Sequence, residues 1–298
     1  MLTCYLQGGL GNQLFQIFTT LNYALQNKKP FAFTNQIQLD TKRATYWQTF
    51  LAPLAKFTKP IDYRQINVVN AYNSKAYNSK AYNKIKEVEF SYNPLPPSVQ
   101  ENILLVGYFQ SYKYFVEHAK GIMKLIRLEE QREKARKIFN LRFNFKLTET
   151  VSLHFRRGDY KMYKDSYVLL DANYYNNALN YILAHDKATA TTTVTHALVF
   201  CEKNDLPEVL SIIHTLKQKI PTLIFVIIDF NMSDWLQLLG MSICKHNIIA
   251  NSTFSWWGAY FNTSLDKLVC YPDSWFGPAL KHNNTKDLFP PDWKEIQV

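Results

Sequence analysis

No run in this 298-residue sequence approaches the roughly 20 consecutive apolar residues of a membrane-spanning helix, although 47% of the chain is apolar. A helical membrane span is excluded on that ground. The opening Met1-Leu2-Thr3-Cys4-Tyr5 lacks the basic start of a secretory signal, so a protein beginning here is expected in the cytoplasm. There are only four cysteines, Cys4, Cys201, Cys244 and Cys270, with no Cys-x-x-Cys pair. That spacing excludes a zinc ribbon or a redox motif and leaves buried, reduced thiols. Asp-x-Asp and His-Glu-x-x-His are also missing, so no divalent-cation site is expected. Nine glycines are too few for a fibrous or linker-dominated chain.

What remains is enough apolar residue to bury a large core, in one large domain or two of ordinary size. The 34 Lys and Arg exceed the 24 Asp and Glu, and a formal charge of +10 favours an anionic partner: a nucleotide, a nucleic acid or an acidic membrane surface. The lysines are scattered, which argues against specific nucleic-acid binding and leaves loose contact with the inner face of an acidic membrane as an expectation. The first residues read as a short strand, a glycine turn and a helix over 13–26 striped by Leu14, Phe18, Leu21 and Leu25. Pro30 closes that unit before a second strand at 31–33. Helix over 117–140 leads to a strand at 151–155. The rhythm then repeats: helix 174–185, strand 197–200, helix 206–219, strand 223–229, helix 233–241 and strand 247–250. Strand-helix alternation of this kind predicts an α/β fold, with a boundary near 147 separating domains 1–147 and 148–298 across a cleft. A period-five repeat over 71–84, Ala-Tyr-Asn-Ser-Lys, is expected as a surface insertion without chemistry.

Three segments carry chemistry. Gly8-Gly9-Leu10-Gly11-Asn12-Gln13 lets backbone amides approach a ligand ahead of a helix N-terminus, or serves as a plain strand-to-helix turn. It lacks the Lys-Ser/Thr of a Walker loop, and Leu14 stands where a dinucleotide fingerprint needs glycine. In Val151-Ser152-Leu153-His154-Phe155-Arg156, strand alternation puts Ser152, His154 and Arg156 on one face. Arg157, Gly158 and Asp159 then leave the strand at its carboxyl end, where open α/β sheets bind ligands and a guanidinium can fork onto a diphosphate. The bland alternative there is an Arg157–Asp159 ion pair within a turn. The third segment, Ile248-Ile249-Ala250-Asn251-Ser252-Thr253-Phe254-Ser255-Trp256-Trp257, reads as a buried strand entering a helix capped by Ser252 or Thr253.

Together, in this order and spacing, the three segments resemble the bacterial α-1,2-fucosyltransferases of glycosyltransferase family eleven, over residues 2–275. The resemblance implies a GT-B-like pair of Rossmann-type α/β domains facing a central cleft. It also implies inverting, metal-independent transfer of fucose from GDP-fucose to the 2-hydroxyl of a galactose-terminated oligosaccharide, with no further cofactor. On that basis Arg156 would hold the diphosphate and His154 would support the nucleotide or the reacting centre. Asn251, Ser252, Thr253 and Ser255 would contact phosphate and base, Gly9 and Gly11 would belong to the donor-binding set, and Asn12 and Gln13, of that same set, would face the sugar. Asp159 is the candidate base, or else the anchor of Arg157. Members of the family often carry an acidic residue where this chain has Gln237, and Asp234, one turn earlier, is the substitute for guanine recognition. Two rival readings remain. One is a basic nucleic-acid module stacking bases on its 19 tyrosines and 20 phenylalanines. The other is an NAD-dependent oxidoreductase, weakened by the broken glycine fingerprint.

Overall fold

The computed structural model describes residues 1–61, 63, 68–70, 82–97, 101–189 and 193–298. The chain forms two compact units, Met1–Glu129 with Asn284–Pro290, and Glu130–Asn283 with Pro291–Val298. Both are α/β, as the strand-helix rhythm predicts.

The first unit opens with β1 (Leu2–Cys4) and α1 (Leu10–Gln26), continues through β2 (Phe33–Thr34), β3 (Thr58–Lys59), β4 (Val68–Asn70), β5 (Tyr82–Lys86) and β6 (Ile103–Val106), and includes α2 (Ala119–Leu125). Its main sheet is parallel in the order β1-β6-β5-β4, and β2 pairs with β3 separately. α1 begins three residues earlier than predicted and absorbs Gly11 and Asn12 into its first turn. Gly8, at φ +77°, makes the reversal that lets it do so. The predicted strand at 31–33 survives as a bridge from Phe31 to Leu2 followed by β2. Most of the period-five repeat lies outside the described residues. Its last three, Tyr82, Asn83 and Lys84, start β5, because parallel pairing with β6 supplies the backbone partners that polar composition does not exclude.

The predicted helix over 117–140 is two helices, α2 and α3 (Leu128–Arg142), parted at Arg127 with φ +53°. The sequence reading puts the boundary near 147, after α3. In the structure α3 packs mainly within the second unit, where the buried Arg132 donates to the Ser242 carbonyl and to Thr263. Then follow β7 (Thr150–His154), α4 (Ala172–Thr189), β8 (His196–Phe200), α5 (Leu206–Lys219), β9 (Ile224–Ile227), α6 (Asp234–Ser242), β10 (His246–Ile248), α7 (Thr253–Tyr260), β11 (Val269–Pro272) and β12 (Lys294–Ile296). These strands make one parallel sheet in the order β12-β11-β10-β7-β8-β9. β7 is central, with β10 on one side and β8 on the other, so the turns after these three strands gather at one edge. α4 and α5 cover one face through Tyr174, Tyr175, Leu179, Val209 and Ile213, packed on Val151, Leu153 and Val199. Among the described residues no helix is long and apolar enough to cross a membrane.

Candidate active site

β7 is buried on both faces, and strand alternation divides its side chains as predicted. Val151 and Leu153, with Phe155 beyond them, join the core under α4 and α5. On the other face Asn247 Nδ2 donates to Ser152 Oγ at 2.7 Å, and His154 Nδ1 pairs with Ser255 Oγ at 2.9 Å. One hydrogen bond therefore joins the second and third sequence segments. Burial, helped by the charge of Arg156, pushes the His154 pKa down to about 3, so its imidazole is neutral near pH 7. It therefore carries no charge to offer a phosphate.

Arg156 leaves the strand with its guanidinium gripped by two carboxylates. Nη1 donates to Glu202, Nη2 donates to Asp159 at 2.5 Å, and the group lies over the Tyr160 ring at 5.2 Å. Arg157 turns the other way: its Nε donates to Glu208 at 2.6 Å and its Nη1 to the Leu170 carbonyl at 3.2 Å. The alternative pairing of Arg157 with Asp159 is thus corrected, because the single 3₁₀ turn Gly158–Met162 brings Asp159 back beneath Arg156. That turn is fixed by Asp205, which accepts the Gly158 amide at 2.7 Å and pairs with Lys161 at 2.8 Å. A Cβ at Gly158 would stand 2.8 Å from a Glu202 oxygen. Three cations, Arg156, Arg157 and Lys161, therefore face four carboxylates, Asp159, Glu202, Asp205 and Glu208. The strand end is not the bare cationic clamp that its arginines suggest: two of the Arg156 N–H groups are already spent on carboxylates.

The third segment is spent largely on itself. Asn251 is buried, and its Nδ2 donates to the Val168 and Trp275 carbonyls at 3.0 and 3.1 Å, tying two loops to the end of β10. Ser252 is the cap of α7, accepting the Phe254 amide at 3.3 Å, and Ser255 Oγ belongs to His154. Of the four residues, only Thr253, at the first helical position, is half-buried rather than buried. Tyr160, which sequence reading passed over, donates to the Asn251 carbonyl at 2.9 Å and stacks on Tyr167 at 4.1 Å. It thereby joins the turn after β7 to the turn after β10. Asp234 is exposed at the start of α6, with its Oδ1 accepting the Trp235 amide. Gln237 donates to the Met232 carbonyl. α6 does reach the third segment, since Gly258 of α7 approaches Met241 so closely that a Cβ would lie 2.8 Å from it.

In the first unit Gly9 is the cap residue of α1, and Gly11 is buried within the helix. Gln13 is fully buried, and its Nε2 donates to the Gly8 and Ala44 carbonyls at 3.0 and 2.9 Å. It therefore clasps the glycine turn from inside, which corrects the expectation that it faces a sugar. Asn12 Oδ1 accepts from Gln110 at 3.1 Å, linking the turn after β1 to the turn after β6. Beside it, Glu87 accepts the Tyr108 and Phe109 amides, and burial pushes its carboxyl up to about 7 against the pull of those two donors.

Sequence reading missed Glu202, Asp205 and Glu208. The one signal available was their position, three acids just past the strand at 197–200, on the turn that parallel pairing sets beside the arginines. No group of three His, Cys, Asp or Glu side chains among the described residues is placed to hold a metal ion.

Comparison with known proteins adds a family. The family described as Glycosyl transferase family 11 matches residues 1–297. The chain is 27% identical to the O-antigen biosynthesis glycosyltransferase WbnK of Escherichia coli, over 96% of this chain and 98% of that one. It is 24% identical to an Escherichia coli alpha-1,2-colitosyltransferase, over 98% and 97%. Among solved structures, a glycosyl transferase family 9 protein from Veillonella parvula aligns with a TM-score of 0.34 and 11% identity, over 56% of this chain and 41% of that one.

Proposed function

Because the chain belongs to glycosyl transferase family 11, we propose that this glycosyltransferase moves L-fucose from GDP-fucose, with inversion, to the 2-hydroxyl of a terminal galactose on an oligosaccharide. The observation that carries the reading is the His154–Ser255 bond, which gathers Arg156, Asp159 and the start of α7 at the carboxyl ends of β7 and β10. In this reading a diphosphate oxygen replaces Glu202, the more exposed of the two Arg156 partners at 53% against 41%. Asp159, released from the same guanidinium, takes the proton as the acceptor oxygen bonds to the fucosyl anomeric carbon. The bond from that carbon to the diphosphate breaks, and the charge on the departing GDP is offset by Arg156. Neutral His154 holds geometry, and the exposed Asp234 accepts from guanine. The O-antigen role named for the first relative supports an O-antigen oligosaccharide as acceptor.

The α-1,2 linkage named for the second relative agrees with attack by a 2-hydroxyl, and it motivates a second reading in which colitose is the sugar transferred. Incubation with a panel of GDP- and UDP-sugars plus lactose, with linkage read by NMR, separates the two. An α-1,2-fucosyl-galactose product is expected. Transfer of colitose alone would favour the second reading, and turnover of UDP-sugars only would overturn both.

A further inference from the structure

After β6 the first unit's chain turns through Gly107, Tyr108 and Phe109, and this turn is determined several times over. The two carboxylate oxygens of Glu87, just past β5, accept the Tyr108 and Phe109 amides at 2.7 and 2.8 Å. Phe109 is held at φ +53°, a region bulky residues rarely visit, with its ring fully buried and edge-on to Tyr114. Position 107 admits only glycine, since a Cβ there would lie 2.3 Å from the Cβ of Glu87. Backbone held this way gathers where a side chain must be presented to a ligand.

The side chain presented is Tyr108. Its neighbours Phe109 and Gln110 are buried, whereas Tyr108 itself is 38% exposed. It stands at the carboxyl edge of a parallel sheet, where ligands bind. Gln110 stitches it to the glycine turn through Asn12. In that turn, no atom beyond Gly9 and its two chain neighbours lies within 4 Å of where a Cβ at position 9 would stand. A pinned, part-exposed aromatic with a polar tip at the carboxyl edge of a sheet suits a pyranose, whose C–H face stacks on a ring while its hydroxyls meet hydrogen-bonding groups at the rim.

We propose that Tyr108 is the stacking platform for the acceptor galactose and that Glu87 is the positioning residue that fixes it. This rests on the reading of the chain as a galactoside-modifying transferase. Saturation-transfer NMR with lactose, which needs no turnover, tests it on the full chain alongside steady-state kinetics. Wild type and Tyr108→Phe should saturate the galactose protons. Tyr108→Ala should lose that signal and raise the acceptor KM roughly tenfold, with donor KM and thermal midpoint unchanged. Glu87→Ala should raise acceptor KM in the same direction. Unchanged lactose saturation in Tyr108→Ala overturns the platform, and a Glu87→Ala effect confined to thermal midpoint overturns the positioning role. Saturation that depends on Tyr108 in a protein that refuses GDP-fucose would sustain the platform and overturn the donor assignment. Fucosyl transfer with identical acceptor KM in Tyr108→Ala would do the reverse.

Discussion

Replacing Arg156 by alanine should separate rate from stability, and the structure sets both magnitudes. Its two carboxylate partners are 41% and 53% exposed, so water solvates them once the guanidinium is gone, and the folding cost should stay under about 1 kcal/mol. The catalytic loss should be larger. Removing one preorganised charge contact to the departing diphosphate costs about 3 kcal/mol, roughly 150-fold in kcat/KM. GDP affinity should fall as well, because Asp159 and Glu202 would then face the diphosphate uncompensated. Lysine should restore little, since a point charge cannot fork between two oxygens. Arg157 is the internal control. Its side chain is 16% exposed and bonds Glu208 and the Leu170 carbonyl, so Arg157→Ala should cost about 2 kcal/mol of stability and lower the thermal midpoint by about 5 °C. Calorimetric titration of GDP and thermal melts of both variants decide the matter. Wild-type GDP affinity in Arg156→Ala, or equal loss of midpoint in the two, would refute the assignment.

Because the folded pKa of His154 lies far below the unfolded one, the unfolded chain binds the extra proton first, and stability is full above the unfolded value and lost as pH falls. From pH 7 to pH 5 this one group should remove about 2 kcal/mol, so urea unfolding of His154→Asn should show a correspondingly flatter pH dependence. Buried Lys245 pairs with buried Asp186, which also bonds His246 at 3.0 Å and the Val194 amide at 2.8 Å. Asp186→Asn should cost about 3 kcal/mol or more in denaturant unfolding, with the kinetics of the surviving folded protein unchanged. Transfer should also persist in excess EDTA, and loss restored by added metal would count against the arginine-based account of diphosphate charge.

The strand-helix rhythm was legible because burial pattern and turn chemistry are local. The helix over 206–219 matches α5 at both ends, and Ser252 caps α7 as its position implies. Long-range partners were not legible. Arg156 reads as an anion site until parallel pairing of β7 with β8 brings Glu202 alongside it, and nothing local announces that register. The same holds for Gln13, Asn251 and Ser255. A polar residue in a motif looks available, but whether a buried carbonyl or imidazole already claims it depends on segments 24 to 101 residues away. α1 starts early for a milder reason: glycine at position 11 weakens a helix without forbidding it, and burial of the first turn outweighs that cost.

Residues 284–290 return to the first unit, where Asp287 accepts from Lys113 and from the Tyr92 amide while its carbonyl accepts from Ser111. During synthesis this unit therefore waits, its closing segment absent, until nearly all of the second unit has been translated. The second unit, uninterrupted up to Asn283, has its central strands available earlier than the first has its last piece. A stop codon near position 283 would consequently damage the half of the protein made first, leaving Lys113 and Ser111 without their partner. An attempt to express residues 1–129 alone would meet the same defect, and supplying 284–290 as a fused extension is the direct way to repair it.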